Sequence, residues 1–192
     1  MASGLLSACL FLLLDASGSV DAAEHKLQRE ATAAALTSPE VLVRVQHEGG
    51  IAVAVAEFSS DVTMLQGWAV LRDSGSASVL ANALTSAPRT QNGSTAAGDS
   101  IATAAQSFAE APACERRVID ISTDGRANTG MGLVHLIRIA LQIGHHFLEI
   151  FRREILLGDD QDHAVVDALA ADLPGVADAD AVLLDGFGLR GG

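Results

Sequence analysis

Five oxygen-bearing side chains carry the clearest chemical signal in this chain. They are Asp15, Ser17 and Ser19 in FLLLDASGSV, Thr95 in GSTAAGD, and Asp124 in STDG. No Cys or His stands among them. Hard oxygen donors of this kind select Mg2+ or Mn2+, with Ca2+ a weaker fit, over zinc or copper. Two carboxylates with hydroxyls do not fill a coordination shell, so an ion held there keeps waters and an open position. The single residues separating Asp15, Ser17 and Ser19 send those three side chains toward one side of an extended loop. Taken alone, DASGS reads equally well as a helix-capping loop, because Asp and Ser are favoured caps. The metal reading depends on Thr95 and Asp124 lying beside it.

Groups so far apart in the chain need a scaffold that gathers them. The apolar run from Ser7 to Leu14 has no alternation and predicts a strand covered on both faces. Asp21 opens a helical stretch whose Leu27 and Leu36, with the alanines between them, are expected to form an inward stripe. Ser38-Pro39 restarts the helix, and Gly49-Gly50 ends it. IAVAVAEF (51–58) predicts a second buried strand and VTMLQGWAVL (62–71) a third, joined by so short a link that a hairpin is implied. Residues 76–85 and the small-residue segment AAGDSIATAAQSFAEA predict helices, on either side of the turn-forming SAPRTQNGST (86–95). RVIDIS (117–122) predicts the fourth strand.

This order predicts an α/β fold. It is an open, Rossmann-like, mostly parallel sheet with one antiparallel edge strand and helices on both faces. Ligands of such sheets sit beyond the carboxyl ends of the strands, where the winding direction reverses. With the first strand central and the fourth on its other side, the loops DASGS and STDG meet at that point. The crossing segment before the fourth strand brings Thr95. Beyond Gly132 the pattern changes. Residues 133–157 predict one long apolar helix, or two broken near Gly144, and AVLL (181–184) is a short strand candidate. The expected organisation is a domain core over 7–132 and an atypical helical and acidic segment over 133–192, an altered or incomplete end of the same domain.

The motifs D-x-S-x-S (15–19), T-x-x-G (95–98) and TDG (123–125) resemble the metal-ion-dependent adhesion site (MIDAS) of a von Willebrand factor type A domain. The runs LDASGSVDAAEHKLQRE and CERRVIDISTDGRANTG are more closely similar to a group of uncharacterised bacterial proteins of that superfamily. The resemblance covers roughly residues 8–132. It implies that Ser17 and Ser19 bind the ion directly, and that Thr95 binds directly or through water. Asp15 and Asp124 would supply negative charge, and the vacant position would accept an Asp or Glu carboxylate from a partner protein. The function implied is a cation-dependent protein-binding module of adhesion or scaffold type. The alternatives are a Mg2+-dependent phosphohydrolase-like enzyme and a non-functional remnant with an altered C-terminus.

Bulk properties narrow the choice. At 192 residues, 49% hydrophobic and 19% charged, the chain can bury a single core. A net charge of −12 argues against a nucleic-acid partner, which needs clustered Lys and Arg. From Glu154 onward nine acidic residues face a single base, Arg190, which reads as a solvated acidic tail. Cys9 and Cys114 are too few for a zinc site; they form either one bridge or two buried thiols. LLSACLFLLL (5–14) is too short to span a bilayer and has no basic residue before it, so it reads as a core strand rather than an export signal. The chain as written is then cytoplasmic, or periplasmic or secreted if a signal lies upstream of Met1.

The remaining polar clusters are weaker. Asp99 reads as a helix cap and Asp120 as an ion-pair partner for Arg116 or Arg117. His145, His146 and Glu149 read as surface groups, since adjacent helical histidines diverge by about 100°. GDDQDH (158–163) lacks the Gly and the final Glu of a calcium loop. There is no G-x-S-x-G elbow and no phosphate-binding G-x-x-x-x-G-K-[ST] loop. No nucleophile–base pair is evident, and the chain reads as a non-enzyme.

Overall fold

The computed structural model describes residues 5–123 and 128–130, together with the strand path of 148–154. Its centre is β1 (Leu6–Asp15), followed by α1 (Ala22–Thr37), α2 (Pro39–His47), β2 (Ile51–Phe58) and β3 (Val62–Leu71). Then come α3 (Ser74–Ser86), α4 (Ala97–Ser107), β4 (Cys114–Thr123) and β5 (Leu148–Glu154). The strands form one sheet in the order β3-β2-β1-β4-β5. β1 pairs in parallel with β2, from Ala8↔Ile51 to Asp15↔Phe58. On its other side it pairs in parallel with β4, from Leu6↔Cys114 to Leu14↔Ser122. β2 and β3 form the expected antiparallel hairpin, with register shifts between Val53 and Ala56.

β1 is apolar from Ala8 to Leu14 because both of its faces are covered. Phe11 and Leu13 enter one core with Ala54, Phe58, Ile101 and Ile119 under α4. Leu12 and Leu14 enter the other with Val53, Val55, Leu80 and Leu84 under α1 and α3. Alternate side chains of an extended strand point to opposite faces, so a single run can feed two cores. Trp68 covers the first core near the hairpin edge, its ring 5.8 Å from Phe11 and 5.1 Å from Phe108. Its indole N–H donates to the Ser107 carbonyl at 3.0 Å.

The helix starts follow their capping residues. Asp21 accepts from the N–H groups of Ala23 and Glu24, while Glu24 reaches back to the Asp21 N–H, a complete capping box. Ser38 caps α2 through Val41 N–H, with Pro39 in the first turn. Gly50 ends that segment at φ +108°, where a Cβ would also collide with the Arg72 side chain. A disulfide joins Cys9 to Cys114, with Cα atoms 5.8 Å apart, and ties β1 to the start of β4.

Two sequence expectations are corrected. Leu27 is 66% exposed, and the inward face of α1 consists of His25, Gln28, Arg29, Ala33 and Leu36. Leu27 and Leu36 are nine positions apart, which at 100° per residue places them on opposite sides of a helix. The second correction concerns residues 133–157. Leu148–Glu154 is a strand, not a helix, pairing in parallel with β4 from Arg117↔Leu148 to Thr123↔Glu154. A short apolar run does not tell helix from strand by itself, and here the free edge of β4 supplies hydrogen-bonding partners. Glu149 therefore sits on a strand opposite Val118, not on a helix face. His145, His146, GDDQDH and AVLL (181–184) lie outside the described residues.

Candidate functional site

Of the candidate residues that are described, Asp15, Ser17 and Ser19 lie at the end of β1, and Thr95 lies on a segment hydrogen-bonded to their loop. Asp15 closes β1 and is fully buried. Its Oδ1 accepts from the Ser17 N–H at 2.8 Å, and its Oδ2 accepts from the Thr123 hydroxyl at 2.5 Å. Among the described residues no Lys, Arg or His forms an ion pair with it. The buried Ser17 and the exposed Ser19 place their hydroxyl oxygens 3.1 Å apart. Asp15, Ser17 and Ser19 thus share one small loop.

Thr95 is buried just before α4. Its segment meets the loop two residues earlier, where the Gly18 N–H donates to the Gly93 carbonyl at 2.8 Å. That approach is close: a Cβ on Gly18 would lie 3.3 Å from Asn92 Oδ1. Thr95 is also held from the β4 side. Its N–H donates to Asn128 Oδ1 at 2.9 Å, and its carbonyl accepts from the Asn128 N–H at 3.0 Å. Asp124 lies outside the described residues, although Thr123 before it bonds Asp15 and Asn128 after it bonds Thr95. Asp99 stands in the first turn of α4, whose N-cap Ala96 has no side-chain cap bond. The expected cap is thus a charge near a helix N-terminus. The Asp99 carboxylate lies close against Gly130, which has φ +80°.

The donor set suits a small hard cation: a buried carboxylate without a basic partner among the described residues, beside two hydroxyls facing each other. Among the described residues no three His, Cys, Asp or Glu side chains cluster to hold a metal.

Several neighbours escaped sequence reasoning. Arg89 Nη2 shares its two N–H groups among the carbonyls of Ala16, Ser17 and Val20, at 3.1, 2.9 and 2.9 Å. Gln91 bridges the Ser59 and Thr63 hydroxyls at 2.7 Å each. Beneath the loops, Glu57 lies fully buried with His25 Nε2 at 2.5 Å and Arg29 Nη1 at 3.5 Å from its Oε1. Nearby, Gln28 Nε2 donates to the Ser122 hydroxyl at 2.9 Å. The one signal for Arg89 was a base within a polar crossing segment of an acidic chain. Glu57 was visible as the single charge ending an otherwise apolar strand.

The sheet order, with D-x-S-x-S ending the central strand, defines a von Willebrand factor type A-like fold. The chain belongs to the family described as protein of unknown function (DUF1194), whose model matches residues 6–145. No curated protein matches it in sequence. Among solved structures it is similar to proximal thread matrix protein 1 from the mussel byssus, at 17% identity and a TM-score of 0.61 over 77% of this chain and 38% of that one. A form of that protein with a zinc-occupied MIDAS motif aligns at 22% identity and 0.54, over 77% and 35%. The von Willebrand factor type A protein from Catenulispora acidiphila matches at 20% and 0.56, over 77% and 33%. The pilus adhesin SpaC from Lactobacillus rhamnosus GG matches at 14% and 0.60, over 86% and 27%. The aligned part is thus well under half of each of these chains. At such identities the likeness establishes the fold.

Proposed function

We propose that this chain is a divalent-cation-dependent protein-binding module, with Asp15, Ser17, Ser19, Thr95 and Asp124 as its cation site and Mg2+ or Mn2+ as the ion. The observation that carries this reading is the environment of Asp15. A buried carboxylate normally has a paired charge. Among the described residues Asp15 instead has two neutral donors, and the hydroxyls of Ser17 and Ser19 follow it in the same loop. A cation bound there would supply the missing charge and one position for an Asp or Glu carboxylate of a partner protein.

The chain's own residues each contribute to that task. The Ser17 N–H and the Thr123 hydroxyl fix both oxygens of Asp15 and leave its remaining lone pairs for the ion or its waters. The hydrogen bonds of Asn128 hold Thr95 at the same rim. The adhesin and byssal-protein neighbours support a binding or scaffold role over catalysis, and the net charge of −12 argues against a nucleic-acid partner. Among the described residues no helix is long and apolar enough to cross a membrane.

Titration calorimetry with Mg2+ and with Mn2+ tests the proposal. Saturable one-site binding by the wild type, weakened by at least about tenfold in Asp15→Ala and in Asp124→Ala, is expected from the loss of a charged contact worth about 1.5–3 kcal/mol. A folded wild-type protein that binds neither ion refutes it.

A further inference from the structure

We propose that Arg89 is the positioning residue of the 15–20 loop, holding the peptide planes that aim Asp15 and connect the loop to the Thr95 segment. This rests on the cation-site reading for its functional meaning, though not for its geometry.

A peptide unit is planar, so fixing its carbonyl also fixes the direction of its N–H. The Ala16 carbonyl accepts from Arg89 Nη2 at 3.1 Å, and the N–H of the same peptide, that of Ser17, donates to Asp15 Oδ1 at 2.8 Å. The Ser17 carbonyl accepts from Nη2 at 2.9 Å, and the N–H of that peptide, Gly18's, donates to the Gly93 carbonyl at 2.8 Å. Two consecutive peptides are thus pinned at both ends. One couples Arg89 to the Asp15 carboxylate, and the other couples it to the strand of loop that leads to Thr95. The third bond, to the Val20 carbonyl at 2.9 Å, closes the loop just before the Asp21 cap of α1.

Arg89 is itself anchored, its Nε donating to the Gln91 carbonyl at 3.0 Å while Gln91 bridges to Ser59 and Thr63. The carbonyl oxygens it occupies are themselves hard donors. Released, they would be free to turn toward the site and compete with the hydroxyls for the ion. A guanidinium does this work better than an ammonium, because Nε holds its plane on the Gln91 carbonyl while the two N–H groups of Nη2 are shared among the three loop carbonyls.

The test compares wild type, Arg89→Ala and Arg89→Lys in metal-free form by amide hydrogen exchange, and then with Mn2+ alone by calorimetry. In Arg89→Ala the Ser17 and Gly18 amides are expected to exchange at least about tenfold faster, while amides in the middle of β1 and β4 keep their rates. Mn2+ affinity should fall by about tenfold, and Arg89→Lys should recover part of both effects. Wild-type exchange at Ser17 and Gly18 in Arg89→Ala overturns the inference. So does a uniform quickening across the sheet, which marks a merely structural role, or local quickening with unchanged Mn2+ affinity. If the wild type binds no divalent cation, the site reading fails, and the exchange data alone decide whether Arg89 positions the loop.

Discussion

Breaking the buried charges beneath the site gives the sharpest thermodynamic test of the fold. Glu57 is fully buried in β2, and its Oε1 is shared by His25 Nε2 at 2.5 Å and Arg29 Nη1 at 3.5 Å. Among the described residues, Glu57 Oε2 and Arg29 Nε and Nη2 have no hydrogen-bond partner. The cluster is therefore expensive to hold and more expensive to break. Removing one partner of a buried pair costs about 3–5 kcal/mol, because the other charge stays in a poor solvent. Arg29→Met and Glu57→Leu should each lose that much, or roughly 6–20 °C in Tm for a chain of this size. Additive losses would bring the double variant to about 6–10 kcal/mol. The double variant leaves no opposed charge stranded, only a His25 ring without its Glu57 contact, worth about 1–3 kcal/mol. Its loss should therefore be smaller than that of either single variant. Urea denaturation followed by circular dichroism reads all four corners of this cycle. Two single variants within 1 kcal/mol of wild type, or a double variant that is the sum of the singles, would refute the reasoning.

Reducing the Cys9–Cys114 disulfide, which closes a sequence separation of 105 residues, should cost about 2–5 kcal/mol; a thermal melt with and without reductant measures it, and unchanged melts would count against the bridge. Phe11→Ala removes a fully buried ring from the first core and should cost about 3–5 kcal/mol, with a red shift in the emission of Trp68, the single tryptophan. Asp73 caps α3, and its hydrogen bonds from the Ser76 backbone and then the Ser76 hydroxyl lower its pKa against a small opposing effect of burial. A lowered folded-state pKa gives stability that is present above the unfolded value of about 3.9 and lost as pH falls through the folded one. The stability gap between wild type and Asp73→Ala should accordingly narrow below pH 4 in acid titrations monitored by circular dichroism.

What the sequence revealed depended on how local each signal was. The first two strands, the hairpin and the starts at Asp21 and Ser38 were legible because each rests on residues adjacent in the chain. The sheet order was legible because a run as uniformly apolar as FLLL must be central. The inward face of α1 was misread because His25, Gln28 and Arg29 look like surface residues until Glu57, far off in sequence, arrives to meet them. β5 was misread for a related reason, since its only cue is the open edge of β4. Asp15, Ser17 and Ser19 could be grouped by spacing alone. Arg89 could not, because its partners are backbone carbonyls, which every residue possesses and no sequence pattern marks.

The central position of β1 also sets the order in which the molecule can fold. Both of its neighbours are parallel to it, and parallel strands are separated in the chain by a crossover of about a dozen residues or more. Leu6 must wait for Cys114, and Ala8 for Ile51. During synthesis β1 is made before either of its neighbours, and it stays half-paired until β4 has been made. Folding dominated by such distant contacts is slow and leaves a sticky intermediate exposed. The strand that carries Asp15 to the loop rim is the one that most needs protection on the way there.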